Sequence, residues 1–227
     1  MPTIAQDLLL LLLDDESGKQ ITDSTKLPRA LAGAVVLELA LAGAVRVSEK
    51  NEETKAGRLV TVRGADLLTD PLITAAYETI RRSKPMKPQR VIEKLQRGLR
   101  EKILAQLEKQ GSIRRQRAKA LGLFPTTKWP ARDTRRKQAV RLELERALIH
   151  NATPSPHNAA LISLLSAIDG VHKVFPDADR KAIKKRATEI AEGEWAGTAV
   201  RKAVEAVNTT VLAAVLVSVT AGATASG

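Results

Sequence analysis

Residues 90–132 read RVIEKLQRGLREKILAQLEKQGSIRRQRAKALGLFPTTKWPAR. In the first half Val91, Leu95, Leu99 and Ile103 recur every four residues, with Arg90, Lys94 and Arg97 on the opposite side, which predicts one helix from Arg90 to Lys109. After Gly111 that period is lost. Two basic flanks enclose Leu121, Gly122, Leu123 and Phe124, followed by Pro125, two threonines and Trp129, and we read a hairpin with an apolar tip. The wider stretch from Lys84 to Arg141 holds 18 Lys/Arg against 4 Asp/Glu, a net +14, so with +12 for the whole chain all other residues sum to −2. A cationic helix beside a protruding apolar loop suits an anionic membrane surface, because stable anchoring generally takes two signals. Leu121, Leu123, Phe124 and Trp129 are the candidate inserting residues. Read without further context, they serve equally well as a loop folded back onto the core.

Outward from this stretch the chain reads as helices. Thr3 is placed to cap a helix through Leu13, with Asp7 near its positive end. The run from Pro28 to Ala42 opens on proline and spaces Leu31, Val35, Leu39 and Ala42 along one face. Val45–Val47 and 59–62 alternate as a small β-hairpin, and Asp70-Pro71 opens a helix to about Arg82. Beyond the basic region, Asp133 should cap a helix to about His150 and Ser155 one through Val171. Residues 177–191 predict an amphipathic basic helix and 195–219 a last long one, with a frayed tail over 223–227. Aromatics make up only 2% of a chain that is 44% apolar, so the core must be leucine, alanine, valine and isoleucine. The expectation is a single domain over 1–222, mainly α, a bundle wrapped by amphipathic helices with small β-hairpins, one of them protruding and apolar.

Several chemistries find no support. The absence of cysteine excludes disulfides and thiol catalysis. No G-x-S-x-G, Walker lysine loop, G-x-G-x-x-G or H-E-x-x-H occurs, so no catalytic residue, metal ligand or cofactor is assigned. His150, His157 and His172 are scattered and receive no role, and Asp14, Asp15 and Glu16 read as a solvated helix end. Leu8–Leu13 lacks a basic lead-in and is followed by acids, unlike a signal peptide, and 211–219 is shorter than the roughly 20 residues of a spanning helix. The chain is therefore expected in the cytoplasm, peripheral at the inner face of the membrane. Nucleic acid is the competing partner for a basic chain, but five aromatics provide no stacking platform and no helix-turn-helix or zinc signature appears. A protein adaptor without direct membrane insertion is the third reading.

The order of four stretches resembles the Golgi phosphoprotein 3 family: DLLLLLLDDESGK, LAGAVVLELALAGAV, RGLREKILAQLEKQGSI with the hairpin after it, and VNTTVLAAVL. The resemblance covers nearly the full length. It implies a mainly helical fold with a protruding hydrophobic hairpin and, beside it on a basic face, a pocket for phosphatidylinositol 4-phosphate. The family's R-x-x-R pocket motif aligns with Arg97 and Arg100, and its hairpin tip with Leu121 to Phe124. Its pocket tryptophan falls at about Asp23 and its second-helix arginine at Ala32, leaving Arg29, one turn earlier, to substitute and implying a weaker preference among anionic lipids. The alanine-rich, aromatic-poor composition looks bacterial, so a prokaryotic relative is expected. The family's coat-complex and glycosyltransferase partners do not carry over to it, which leaves client membrane proteins only as a general partner class.

Overall fold

A computed structural model describes residues 2–62, 68–120, 124–192, 204, 205, 207 and 209, with the side chains of 118–120, 124 and 125 left aside. The described chain is mainly α with two small antiparallel hairpins. Helix α1 (Ile4–Leu11) starts on a capping box, in which Thr3 Oγ1 accepts the Gln6 amide at 3.3 Å and Gln6 Oε1 accepts the Thr3 amide at 3.5 Å. All eight of its residues are buried. Helix α2 (Leu27–Leu41) departs from the single apolar face expected of it: Ala30 to Leu37 are buried on every side, while Ala42, the last residue of that face, is exposed at the helix end. A helix that is apolar all round belongs in the middle of a core, and α2 packs against α1, helix α7 (Pro156–Ala167) and the elements described next.

Strands β1 (Val45–Val47) and β2 (Leu59–Thr61) pair antiparallel, and helix α3 (Pro71–Arg81) begins where Asp70 accepts the amides of Leu72 and Ile73. The helix expected from Arg90 to Lys109 is two helices, α4 (Pro88–Leu95) and α5 (Leu99–Lys109). Gly98 breaks it by adopting φ +64°, a left-handed conformation that ends helices and suits glycine. The four-residue repeat survives the break, since Val91, Leu99 and Ile103 are all buried and Leu95 packs on the core. Periodicity reports which residues face inward, and a turn that preserves that facing leaves no mark on it.

Strands β3 (Gln116–Ala120) and β4 (Phe124–Lys128) form the expected hairpin, in register from Gln116 opposite Lys128 to Ala120 opposite Phe124. Helix α6 (Arg135–Leu148) follows. Its first amide, on Arg135, donates to Asp133 Oδ1 at 2.9 Å, but the residue before the helix is Thr134, so Asp133 stands one position further out than expected of a cap. Helix α7 is capped by Ser155 as predicted but stops at Ala167 rather than Val171, because Asp169 turns left-handed at φ +55°, and the short α8 (Val171–Val174) resumes. Helix α9 (Arg180–Glu192) buries Ile183, Ala187 and Ile190. The predicted last helix falls outside the described residues except at 204, 205, 207 and 209, which are helical, and the tail 223–227 lies wholly outside them. One core cluster collects buried residues from Ile4 to Val207. Among the described residues no helix is long and apolar enough to cross a membrane.

Candidate functional site

The break at Gly98 changes the geometry of the arginine pair. Arg97 lies in the turn between α4 and α5 while Arg100 is in the first turn of α5, so the two do not lie on one continuous helix. Arg97 is exposed and pairs with no described residue. Arg100 is largely covered, and its Nε is buried without a hydrogen-bond partner. Among the described residues only a loose ion pair, 3.8 Å to Glu101, engages its Nη1. Glu93, on the last turns of α4, accepts from Gln89 Nε2 at 3.2 Å and forms no ion pair with either arginine. A buried donor left unmade costs about 1–3 kcal/mol, so this N–H is a place where an incoming acceptor gains. Helix α5 starts on Gly98 with no side-chain cap; the Leu99 amide donates to Gln96 O at 3.3 Å, and the next amides of the first turn are the ones an anion could reach. Arg29 lies in the first turn of α2, its Nη1 3.4 Å from the Thr25 carbonyl. Asp23 is held at the same end by Thr25, whose hydrogen bonds, with lesser help from Lys26 and Lys173, keep its carboxyl below the usual range.

The hairpin grows from a fixed base. Trp129 is not near the tip: it follows β4, packs partly buried against the core, and carries the Arg115 guanidinium 5.8 Å from its ring centroid. Its backbone lies against Gly18, where an added Cβ would stand 2.2 Å from the Trp129 carbonyl carbon. The Ala131 amide donates to Asp15 O at 2.9 Å, Arg114 to Pro130 O at 3.0 Å, and Lys137 Nζ donates both to Leu13 O and to Asp15 Oδ1. The loop after α1 is therefore the socket of the hairpin. Of the other proposed inserting residues, Leu121 and Leu123 lie outside the described residues, and Phe124 is described only through its backbone pairing with Ala120.

Sequence reading missed a buried polar network at the start of α1. Asp7, 3% exposed, receives Arg136 Nε at 2.7 Å on one oxygen and faces His157 Nε2 at 2.9 Å on the other. Arg136 also donates to Gln6 and Gln110, and Gln6 donates to Gln106, which reaches Asp70. Nearby, Glu38 accepts the Ile4 amide at 2.7 Å. Arg136 thus belongs to the interior rather than to the basic surface, and His157 has a partner where none was assigned. Asp7 and Arg136 stand 129 residues apart, and no local pattern links them.

Burial raises the Glu38 carboxyl above its usual 4.5, against the lowering effect of the Ile4 amide. An acid with a raised folded-state pKa binds protons more tightly when folded, so stability falls as pH climbs from about 4.5 through that raised value. Glu38→Gln keeps an acceptor for Ile4 and should remove this contribution. Thermal melts across the acid range should show the variant gaining on the parent chain as pH rises. Parallel curves would contradict the assignment.

The family model Golgi phosphoprotein 3 (GPP34) aligns with residues 4–207. The chain belongs to the Golgi phosphoprotein 3 family. No curated protein matches it significantly. The stretch matched to the Golgi phosphoprotein 3 model runs from the first residue of α1 to Val207, taking in the α4–α5 turn, the hairpin and its socket.

Proposed function

We propose that this Golgi phosphoprotein 3 family member is a peripheral membrane protein of the inner membrane face. In this reading it binds anionic phospholipid, with phosphoinositide as the headgroup class, and inserts the tip of its β3–β4 hairpin. Its role is binding rather than catalysis. The observation that carries the reading is the buried Nε of Arg100, unpartnered among the described residues, at the uncapped start of α5, with the exposed Arg97 in the turn before it. A phosphate oxygen is a suitable acceptor for such a donor, since charge-assisted hydrogen bonds are roughly twice as strong as neutral ones. Family membership and the rigid hairpin base support the membrane half of the proposal. Trp129 then anchors the hairpin, and insertion falls to Leu121, Leu123 and Phe124.

Vesicle flotation tests both halves. Binding should require anionic vesicles and be strongest with phosphoinositide. Arg97→Gln with Arg100→Gln should weaken it far more than Lys119→Gln with Arg132→Gln, although each pair removes two charges. Hydrogen bonds to a charged group are worth about 1.5–3 kcal/mol each, against about 1 kcal/mol for a cation near an anionic leaflet. Replacing Leu123 and Phe124 by aspartate should reduce binding in moderate salt, where exposed charges are screened and apolar transfer is not. Equal losses for the two charge pairs would reduce the arginine site to diffuse attraction, and full binding by the folded aspartate variant would rule out insertion.

A further inference from the structure

A cleft of about 440 Å³ opens between α6, the segment from Phe175 to Asp179, and the first turn of α9. Its floor is apolar: Leu148, Phe175 and Ile183 line it and are buried in the core. Its walls are charged. Glu145 stands on the α6 side, Asp177 and Asp179 on the other, and the Arg141 guanidinium lies over the Phe175 ring, 5.5 Å from its centroid.

Most charged groups around the cleft are already engaged, which isolates those that are not. Asp179 caps α9 by accepting the Ala182 amide at 2.6 Å. Arg180 and Lys184 of α9 face Asp169 at 3.9 and 3.7 Å, and Arg186 is held by Glu189 and the Ala147 carbonyl. The Glu145 and Asp177 carboxylates make no hydrogen bond or ion pair with any described residue. The lining therefore carries three carboxylates against one guanidinium, a local −2 on a chain of +12.

We propose that this cleft binds an aliphatic polyamine, its methylene chain on Leu148, Phe175 and Ile183 and its ammonium groups on Glu145 and Asp177. Two unpaired carboxylates on facing walls call for two separated cations, and the floor between them calls for hydrocarbon. Phe175 already accepts a cation on its ring face. A bare divalent ion fits less well: it needs several oxygens converging on one point, and no group of described His, Cys, Asp or Glu residues is arranged to hold a metal. The cleft also falls in the usual size range of small-molecule sites, about 300–1,000 Å³.

Titration calorimetry of the full chain with spermidine, in the absence of lipid, tests the proposal separately from membrane binding. One saturable site is expected, weakened at least about tenfold by Glu145→Gln with Asp177→Asn and left intact by Arg97→Gln with Arg100→Gln. The acids are half-buried and exposed respectively, so the double variant should fold. The wild-type chain gives an independent measure: spermidine should bind more tightly than putrescine, propylamine should bind weakest, and magnesium at matched ionic strength should fail to displace spermidine. Any of four results would overturn the assignment: no saturable heat, unchanged affinity in the acid variant, displacement by magnesium, or a basic peptide that occupies the cleft while spermidine does not.

Discussion

Replacing Arg136 by methionine should cost about 3 kcal/mol of stability, near the lower end of what breaking a buried ion pair does. The side chain donates to Asp7, Gln6 and Gln110 at once, and Asp7 is almost wholly removed from water. Methionine keeps most of the volume, so the loss measures the charge left behind rather than a cavity. His157 still faces Asp7 in the variant, which is why the upper end of the range is not expected. For a chain of this length the corresponding fall in Tm is about 6–12 °C. Adding Asp7→Asn to the same variant should recover part of it, because the uncompensated carboxylate is then gone. A single-variant cost below about 1 kcal/mol would mean that the network is not the clasp it looks to be.

The second large effect is expected at Gly18, where two costs coincide. Its φ is +63°, and a Cβ there would meet the Trp129 and Pro130 backbone at 2.2–2.3 Å. Alanine should lose about 1–2 kcal/mol for the left-handed conformation and a further 1–3 kcal/mol for displacing the chain above it. Gly57, at φ +76° with nothing within 4 Å of its added Cβ, supplies the control, since Gly57→Ala carries only the first cost. The contact term should also reach the hairpin. In Gly18→Ala the amides of Arg114 and Ala131, bonded across this seam, should exchange faster, and vesicle binding should fall more than the stability loss alone explains. Matching losses at the two glycines would show that the close approach is not decisive.

What could be read in the sequence was local or periodic. The Thr3 and Ser155 caps, the Pro71 start and both hairpins follow from neighbouring residues, and the structure has them. The break at Gly98 stayed hidden because the apolar repeat runs through it unchanged, and only the glycine hinted at it. The basic stretch was legible as a sum but not in its parts. Arg135 is tied to Asp133, whose carboxyl it pulls down to about 2, Lys137 to the hairpin socket and Arg136 to the interior, while Arg97 remains free. Charge counting cannot separate a cation that holds the fold from one that faces outward, because the partners lie far away in sequence. The same holds for Trp129: beside an apolar tip it reads as part of the tip, yet the residue it presses against is Gly18.

The clasp at Asp7 bears on the order in which the chain can assemble. Helix α1 is synthesised before the elements that cover it, and each of its residues needs cover, but Arg136 and His157 follow Asp7 by 129 and 150 positions. At ordinary elongation rates of about 5–20 residues per second, the leucine run emerges roughly 7–30 s before its last partner exists. Until then a largely apolar helix carrying a carboxylate waits without the surfaces that bury it. A nascent chain built in this order should dwell with a molecular chaperone and close late, by the non-local route that makes folding slow.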